Sequence, residues 1–150
     1  MNFESVEKIL DFAIKKEEEA AQLYMDLAAD LAPTHMKQVF ESIAQEEKQH
    51  KAKLLEVKAG NQLLAAEEKV MDLKIGDYLP DVEAGPDLNY QQALILAMKA
   101  EKAAFKLYQD LAQTTEDRNL KALFLSLSQE EAKHKLRFEV EYDENILQEN

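Results

Sequence analysis

Two six-residue segments of the chain carry the same metal-binding residue types, 84 positions apart. Residues 45–50 read QEEKQH, and residues 129–134 read QEEAKH. In each segment a glutamate is followed three positions later by a histidine, and on a helix this spacing puts both side chains on one face, close enough to bind one metal ion. The two pairs are Glu47 with His50 and Glu131 with His134. Two copies of the pair predict a site for two metal ions.

The two segments belong to a longer internal duplication. Shifting the sequence by 84 positions aligns Leu10–Lys51 with Leu94–Lys135 without a gap, and 18 of the 42 pairs are identical. Chance would give only a few identities, so each half is predicted to form one helical hairpin. The duplication also pairs Glu17 with Glu101, each within an apolar stripe of helical period.

The pairing of the two halves selects six candidate metal ligands. They are Glu17, Glu47, His50, Glu101, Glu131 and His134. Glu18 and Glu19 have no glutamate counterparts in the second half and are expected to be surface charges. Four buried carboxylates without counter-charge would cost many kcal/mol or would have to bind protons. Two divalent cations would balance them, and carboxylate with imidazole suits iron or manganese, although zinc also fits. No catalytic residue is predicted beyond these ligands.

Four further residues are candidates to support the ligands. Tyr24 and Tyr108 lie seven positions, two helical turns, beyond the first and third ligand glutamates. Each hydroxyl could hydrogen-bond a ligand carboxylate across the bundle, or each ring could simply be packed with its hydroxyl bonded elsewhere. Glu46 and Glu130, just before the motif glutamates, could orient the histidine of the opposite hairpin or could be surface charges. His35 is expected to be exposed.

The predicted organisation is one all-α domain over residues 1–150, with a hairpin at 5–58, a crossover at 59–88 and a hairpin at 89–144. Ala, Leu, Glu and Lys dominate the sequence, as in helical proteins. A helix of about 25 residues is roughly 37 Å long, and a connection of about 29 residues can return along that length. We therefore expect a four-helix bundle of two duplicated hairpins joined by one long crossover.

Local signals predict where the helices begin and end. The first helix is expected over 5–31, followed by a break at 32–34 in which Thr34 caps the second helix. A short helix is expected at 62–71 in the crossover. The remaining signals are the helix stop at Gly60, the irregular chain marked by Pro80, Gly85 and Pro86, the capping box of Asn89 with Gln92, and the turn at 113–115.

Composition excludes several classes of function. The net charge is −12, with 30 acidic and 18 basic residues, which argues against nucleic acid or an anionic membrane as a partner. The absence of cysteine excludes disulfides, thiolate zinc sites, iron–sulfur clusters and a rubredoxin-type iron centre within this chain. The polar, acidic N-terminus is unlike a signal peptide, and no apolar run approaches a membrane span. A soluble cytoplasmic protein is expected.

The candidate ligands, together with Ala20, Tyr24, Ala104 and Tyr108, resemble the ferritin-like di-iron carboxylate superfamily, and the rubrerythrin group in particular. The resemblance covers both hairpins. It implies a ferritin-like bundle with two iron ions as cofactor, which cycle between ferrous and ferric states while peroxide or dioxygen is reduced. The resemblance also implies a role for each ligand. Glu47 and Glu131 would bridge the two ions, and Glu17 and Glu101 would each serve mainly one ion. His50 and His134 would each cap one ion.

Two features depart from rubrerythrins proper. Those proteins add a rubredoxin-like domain with iron held by four cysteines, whereas this chain has no cysteine. They also carry an extra glutamate three residues after the third-helix ligand, where this chain has Ala104. The predicted site is thus similar to the symmetric type with four glutamates and two histidines, which is also found in bacterioferritin-like ferroxidase centres.

Three functions remain open from the sequence. The first is a redox protein that reduces hydrogen peroxide or dioxygen with electrons from a separate donor protein. The second is a ferroxidase or iron-handling protein, and the third is a helical interaction protein with a structural metal clamp. A homodimer is expected because the crossover carries more apolar residues than a simple connection needs.

Overall fold

A computed structural model of the chain describes residues 1–80 and 88–146. Within those residues the α-helices are α1 Val6–Asp26, α2 Thr34–Ala59, α3 Glu67–Val70, α4 Tyr90–Thr114 and α5 Arg118–Asn145. The same residues contain no β-strand, only an isolated bridge between Asn2 and Lys74. The all-α expectation is confirmed. None of the helices in these two ranges has both the length and the apolar character needed to cross a membrane.

Side-chain caps determine where several helices begin. The Ser5 side chain accepts a hydrogen bond from the backbone N–H of Lys8 and so caps α1. Asn89 and Gln92 form the expected capping box at the start of α4. Asp117 caps α5 by accepting from two backbone N–H groups. Each cap satisfies donors that the first helical turn leaves without partners inside the helix.

The first hairpin turns differently from the prediction. The α-helical hydrogen bonding of α1 stops at Asp26, and a π-helical turn continues over Leu27–Leu31. Thr34 was expected to cap α2, but it is the first residue of that helix and Pro33 occupies the cap position without a side-chain hydrogen bond. Proline is tolerated there because the N–H that it lacks would have had no partner within the helix.

The crossover is partly helical. The short helix expected at 62–71 is present as a 3₁₀ turn at Leu64–Ala66 followed by α3. A second 3₁₀ turn spans Ile75–Tyr78, and Pro80 is irregular as expected, whereas Gly85 and Pro86 lie outside the described residues. The N-terminal segment pairs with the crossover, because the backbone N–H of Phe3 donates to the carbonyl of Leu73.

Two apolar clusters fill the bundle, one near each end. The Phe124 cluster includes Ile9, Leu54, Leu111 and Phe124. The Phe40 cluster includes Leu27, Phe40, Ala97 and Phe138. Helices α1 and α5 run from the Phe124 cluster to the Phe40 cluster, while α2 and α4 run the opposite way. The connection from α2 to α4 must therefore traverse the bundle, which confirms the single long crossover.

The candidate ligands occupy a polar layer between the two clusters. On α1, Glu17 lies between Ile14 of the Phe124 cluster and Tyr24 of the Phe40 cluster. On α2, α4 and α5 the candidate ligands likewise lie between residues of the two clusters. The fold thus places six polar side chains at one height, with apolar packing above and below.

Candidate metal centre

All six predicted ligands are buried together in the polar layer. Their exposed fractions are 2% for Glu17, 1% for Glu47, 1% for His50, 1% for Glu101, 1% for Glu131 and 5% for His134. Removing ionised side chains from water to this degree is costly unless opposite charge or metal compensates for the lost hydration. The site therefore requires a compensating charge.

The six side chains form two overlapping groups of four. In the first group, Nδ1 of His50 lies 3.0 Å from Glu131 Oε1, 3.3 Å from Glu47 Oε1 and 3.7 Å from Glu17 Oε2. Each member offers one ligand atom, and these atoms all lie within 4.8 Å of one another. Four donor atoms at such separations can surround a single cation.

The second group repeats this arrangement on the other side. Nδ1 of His134 lies 3.2 Å from Glu47 Oε1 and 3.5 Å from both Glu101 Oε2 and Glu131 Oε1. Glu47 and Glu131 belong to both groups, whereas the other four residues belong to one group each. The two shared glutamates therefore lie where bridging ligands would be needed.

One atom on each of the six side chains is buried without a hydrogen-bond partner among the residues that the structure describes. These atoms are Oε2 of Glu17, Oε1 of Glu47, Nδ1 of His50, Oε2 of Glu101, Oε1 of Glu131 and Nδ1 of His134. They are the atoms that face one another across the two groups. Unsatisfied buried polar atoms are rare in folded proteins, and six of them converging on one space fit a pair of metal ions.

The opposite ring nitrogen of each histidine bonds a glutamate from the other hairpin. Nε2 of His50 lies 2.9 Å from Glu130 Oε2, and Nε2 of His134 lies 2.6 Å from Glu46 Oε2. From the sequence alone, Glu46 and Glu130 could either orient the histidine of the opposite hairpin or be surface charges. Although both are partly exposed, each is placed to hold a proton on Nε2 and leave Nδ1 free for a metal ion, as carboxylates beside metal-bound histidines do.

Tyr24 and Tyr108 reach the ligands across the bundle. The Tyr24 hydroxyl donates to Glu101 Oε1 at 2.5 Å, and the Tyr108 hydroxyl donates to Glu17 Oε1 at 2.5 Å. Each bond occupies one carboxylate oxygen and leaves the other, unpartnered oxygen directed to the site. Of the two sequence-based alternatives, the structure therefore places both hydroxyls on carboxylates of candidate ligands.

Without metal, the site balances its charge with protons. Burial and the nearby charge of Glu47 raise the pKa of Glu17 to about 8 and that of Glu101 to about 7. Burial, with the charges of neighbouring glutamates, raises the pKa of Glu131 well above its ordinary range. Burial acts in the same direction on Glu47, but the adjacent histidines outweigh it and hold the pKa of Glu47 at about 2.

The histidines complete this balance. Burial acts to lower the pKa of His50, but the carboxylates of Glu131, Glu17 and Glu47 outweigh it and raise that pKa well above its ordinary value. The pKa of His134 is raised in the same way. Protonated imidazoles and protonated carboxyl groups thus fill the role that two divalent cations would take.

Neighbouring residues that the sequence assigned to the surface do lie there. Glu18 and Glu19 are half exposed and form ion pairs with Lys51 and Lys16, respectively. His35 is also half exposed, but its Nε2 contacts Glu141 Oε1 at 2.9 Å, a partner that the sequence did not indicate.

A mainly apolar cavity of about 360 Å³ opens between α1 and α4 and reaches all four ligand carboxylates. Its walls include two repeat-related pairs, Ala20 with Ala104 and Leu23 with Leu107. The sequence did not predict that these residues line a cavity. The same residue types occur at these positions in both halves, on the helices that carry Glu17 and Glu101, and this repetition could have indicated a shared role beside the site.

Comparison with known proteins agrees with this geometry. The sequence pattern of the rubrerythrin family matches residues 8–142. A solved structure of a hypothetical protein from Pyrococcus furiosus is 26% identical, with a TM-score of 0.68 over 93% of this chain and 89% of that one. None of the curated proteins matches the chain. From its match over most of its length, the chain belongs to the rubrerythrin family, within the ferritin-like superfamily.

Proposed function

We propose that the chain binds two iron ions and reduces hydrogen peroxide or dioxygen with electrons from a separate donor. The observation that carries this proposal is the set of six unpartnered buried atoms, arranged in two groups that share Glu47 and Glu131. Membership of the rubrerythrin family supports iron as the metal, and a donor set of carboxylates and imidazoles is compatible with it.

The ligand roles follow from the two groups. Glu17 and His50 would hold one ion, Glu101 and His134 would hold the other, and the two shared glutamates would contact both. A pair of ferrous ions supplies the two electrons that reduction of peroxide, or the first stage of dioxygen reduction, requires. The protein's own contribution is to hold these ligands in place before metal arrives, because positioned ligands bind metal with less loss of conformational freedom.

The supporting residues fix the direction of each ligand. The tyrosine hydroxyls on Glu17 and Glu101 stop these carboxylates from rotating. The glutamates on Nε2 of the two histidines fix the ring orientation and the tautomer. Because every one of these contacts joins one hairpin to the other, ligand geometry depends on correct docking of the two hairpins.

The apolar cavity supports a small, neutral oxidant. It is lined by Glu17, Glu47, Glu101 and Glu131, and Ala104 is also part of its lining. Lys16 and Glu19, the charged wall residues besides the four carboxylates, are paired with each other, so a charged substrate would lose hydration there without gaining a free partner. Hydrogen peroxide and dioxygen are small and uncharged, so both can reach the carboxylates at little cost.

The proposal is tested by metal content and turnover. Protein from iron-supplemented growth should hold two iron ions per chain and should consume peroxide or dioxygen repeatedly with an external reductant. Glu17→Ala should abolish turnover, whereas Glu18→Ala, the adjacent half-exposed glutamate, should leave it unchanged. Oxidation of many ferrous ions per chain with retained mineral would instead show a ferroxidase, and tight zinc binding without redox turnover would show a structural clamp.

A further inference from the structure

A second buried carboxylate lies at the Phe40 end of the bundle, outside the metal centre. Glu141 on α5 is 1% exposed. Its Oε2 accepts a hydrogen bond from the Tyr90 hydroxyl at 2.6 Å. Its Oε1 accepts from Asn145 at 2.7 Å and lies 2.9 Å from Nε2 of the half-exposed His35. Glu141 is thus a proton acceptor already bonded to a phenol, with His35 linking it to the surface.

The duplicated half shows that the fold does not need this cluster. With the 84-residue offset, Tyr90 corresponds to Val6 and Glu141 corresponds to Val57. Both valines are buried in the Phe124 cluster. Two aliphatic side chains therefore pack the equivalent place in the other half, so a buried carboxylate with a phenol is not required for packing and costs desolvation.

A run of aromatic rings connects Tyr90 to the metal centre. The ring centroids of Tyr90 and Phe40 are 6.3 Å apart, and those of Phe40 and Tyr24 are 6.1 Å apart. Phe138 lies beside this run, 5.4 Å from Phe40 and 5.3 Å from Tyr24. The Tyr24 hydroxyl in turn donates to the ligand Glu101. One phenylalanine ring therefore separates the two tyrosines.

This run is also absent from the corresponding part of the other half. Tyr108 stacks on Phe124 at 6.5 Å, as Tyr24 packs on Phe40. The counterpart of Phe138 is Leu54, and the counterpart of Tyr90 is Val6, so among the described residues no aromatic ring extends the Tyr108–Phe124 pair in the same way. One end of the bundle has acquired a connected set of aromatic rings that ends on a phenol–carboxylate pair.

We propose that Tyr90 is a redox-active tyrosine that exchanges single electrons with the metal centre through Phe40 and Tyr24. In the oxidising direction Tyr90 loses one electron towards the centre, and its phenolic proton moves along the existing hydrogen bond to Glu141. The products are a neutral tyrosyl radical and a protonated Glu141. A one-electron reductant at the surface then returns the electron, and Glu141 returns the proton. The oxidant is dioxygen reacting at the centre: its reduction to water takes four electrons, of which the two ferrous ions supply two and Tyr90 supplies a third and, once re-reduced, a fourth. This route therefore depends on the proposed function.

Tyr90 suits this role better than the two tyrosines beside the metal centre. The hydroxyls of Tyr24 and Tyr108 donate to Glu101 and Glu17, which serve as metal ligands in the proposed function. A carboxylate that shares its charge with a metal ion is a poor proton acceptor. Glu141 is not among the candidate ligands, so it remains free to take the proton.

A first experiment tests Tyr90 independently of iron. The full-length protein, with zinc added, is oxidised by photogenerated tris(bipyridine)ruthenium(III), a one-electron oxidant, and frozen for electron paramagnetic resonance. Wild type should show a tyrosyl radical, and Tyr90→Phe should lose most of that signal. The matched control is Tyr78→Phe, because Tyr78 also donates to a carboxylate, Asp110, but contacts neither Phe40 nor Tyr24. This control should retain the signal.

A second variant separates the proton step from folding. Glu141→Gln keeps an oxygen that can accept the Tyr90 hydrogen bond but cannot take its proton, and it should lose the radical signal while circular dichroism stays unchanged. A signal that survives in both Tyr90→Phe and Glu141→Gln would overturn the proposal.

The route is tested with ferrous-loaded protein, mixed with dioxygen-saturated buffer and freeze-quenched. A radical should appear that requires Tyr90, and Phe40→Leu should delay or abolish it while leaving the photochemical radical intact. Iron that is oxidised without any such radical would overturn the route through Phe40. Failure to bind iron would instead reject the proposed function and with it the source of the oxidant, and the photochemical result would still decide whether Tyr90 is redox active.

Discussion

The hydroxyl of Tyr108 on α4 donates a 2.5 Å hydrogen bond to Oε1 of Glu17 on α1, across the interface between the two hairpins. The bond directs the other carboxylate oxygen, Oε2, towards Nδ1 of His50, 3.7 Å away. A residue of the second hairpin therefore fixes the direction of a candidate ligand on the first, and in the Tyr24–Glu101 pair a residue of the first hairpin does so for the second.

Tyr108→Phe should weaken metal binding without unfolding the protein. Phenylalanine fills the same space, but Glu17 loses the donor that orients it, and losses of supporting bonds of this kind typically reduce metal affinity by about 10–100-fold. Titration with Mn(II) or Zn(II) measures the change. Tyr142→Phe, eight residues beyond His134 on α5, is the control and should bind as wild type does. Equal affinity in both variants would contradict the assigned role of Tyr108.

Replacing a glutamate that belongs to both groups should reduce metal binding more than replacing a glutamate that belongs to one group. Glu47 and Glu131 belong to both ligand groups, whereas Glu17 and Glu101 belong to one group each. We expect Glu47→Ala and Glu131→Ala to weaken binding of both ions, and Glu17→Ala and Glu101→Ala to weaken mainly one. Stoichiometry from calorimetric titration distinguishes these results, and equal losses in all four variants would contradict bridging.

The metal-free protein should become less stable as the pH rises from about 5 to 8. The folded-state pKa values of Glu17 and Glu101, about 8 and about 7, lie above the ordinary value of 4.5. Their stabilising contribution is therefore complete below pH 4.5 and is lost as the pH rises through 7 to 8. The raised pKa values of both histidines act in the same direction above their ordinary value of 6.5.

The ionisation of Glu47 should change the stability of the protein only at acid pH. Its folded-state pKa of about 2 lies below the ordinary value of 4.5, so its contribution is present above pH 4.5 and is lost as the pH falls towards 2. Each proton that is released on unfolding at neutral pH changes the free energy of unfolding by about 1.4 kcal/mol per pH unit.

With metal bound, the stability of the protein should instead rise with pH over this range, because metal binding requires deprotonated ligands. Urea unfolding at pH 5, 6.5 and 8, with chelator and with Mn(II), measures both trends. A chelator-treated protein that gains stability over this range would contradict the protonated site.

We propose that the chain forms a homodimer through the crossover. Leu63, Val70 and Tyr78 of the crossover are buried against the protomer's own helices, whereas Leu64, Met71 and Leu79 are 55%, 42% and 46% exposed. Light scattering at micromolar concentration should show twice the 17.2 kDa chain mass, and a mass of one chain would reject the dimer.

Two substitutions identify the surface that is used. Leu64→Glu combined with Leu79→Glu should shift the protein towards monomer, whereas Leu136→Glu, at an exposed leucine on α5, should not. A dimer that forms by exchange of hairpins through the long crossover would survive the double substitution and would draw its ligands from two chains.

The sequence predicted the six candidate ligands because the repeat supplied a second copy of each signal. A glutamate in an apolar stripe is ambiguous alone, but Glu17 and Glu101 support each other at one offset. The hydroxyl partners of Tyr24 and Tyr108 stayed open, because each bond joins residues that are 77 or 91 positions apart.

The cluster around Glu141 was not predicted, because the repeat that pointed to the candidate ligands gave no signal there. It lies where the halves differ, so the repeat gave no second copy to compare. The cap position of α2 was also missed, by one residue, because helix ends depend on backbone geometry that residue types specify only to within one or two positions.

The tyrosine and glutamate contacts that support the centre all cross between the hairpins, and this has an evolutionary consequence. A single ancestral hairpin would have carried one Glu-x-x-His pair and one further glutamate, half of the present ligand set. Its histidine and its tyrosine would have found their partners only on a second copy. We infer that such an ancestor would have assembled the complete site only as a symmetric pair, which duplication within one gene then joined in a single chain. Once the two copies shared one gene, each could diverge separately, as Tyr90 and Val6 have done.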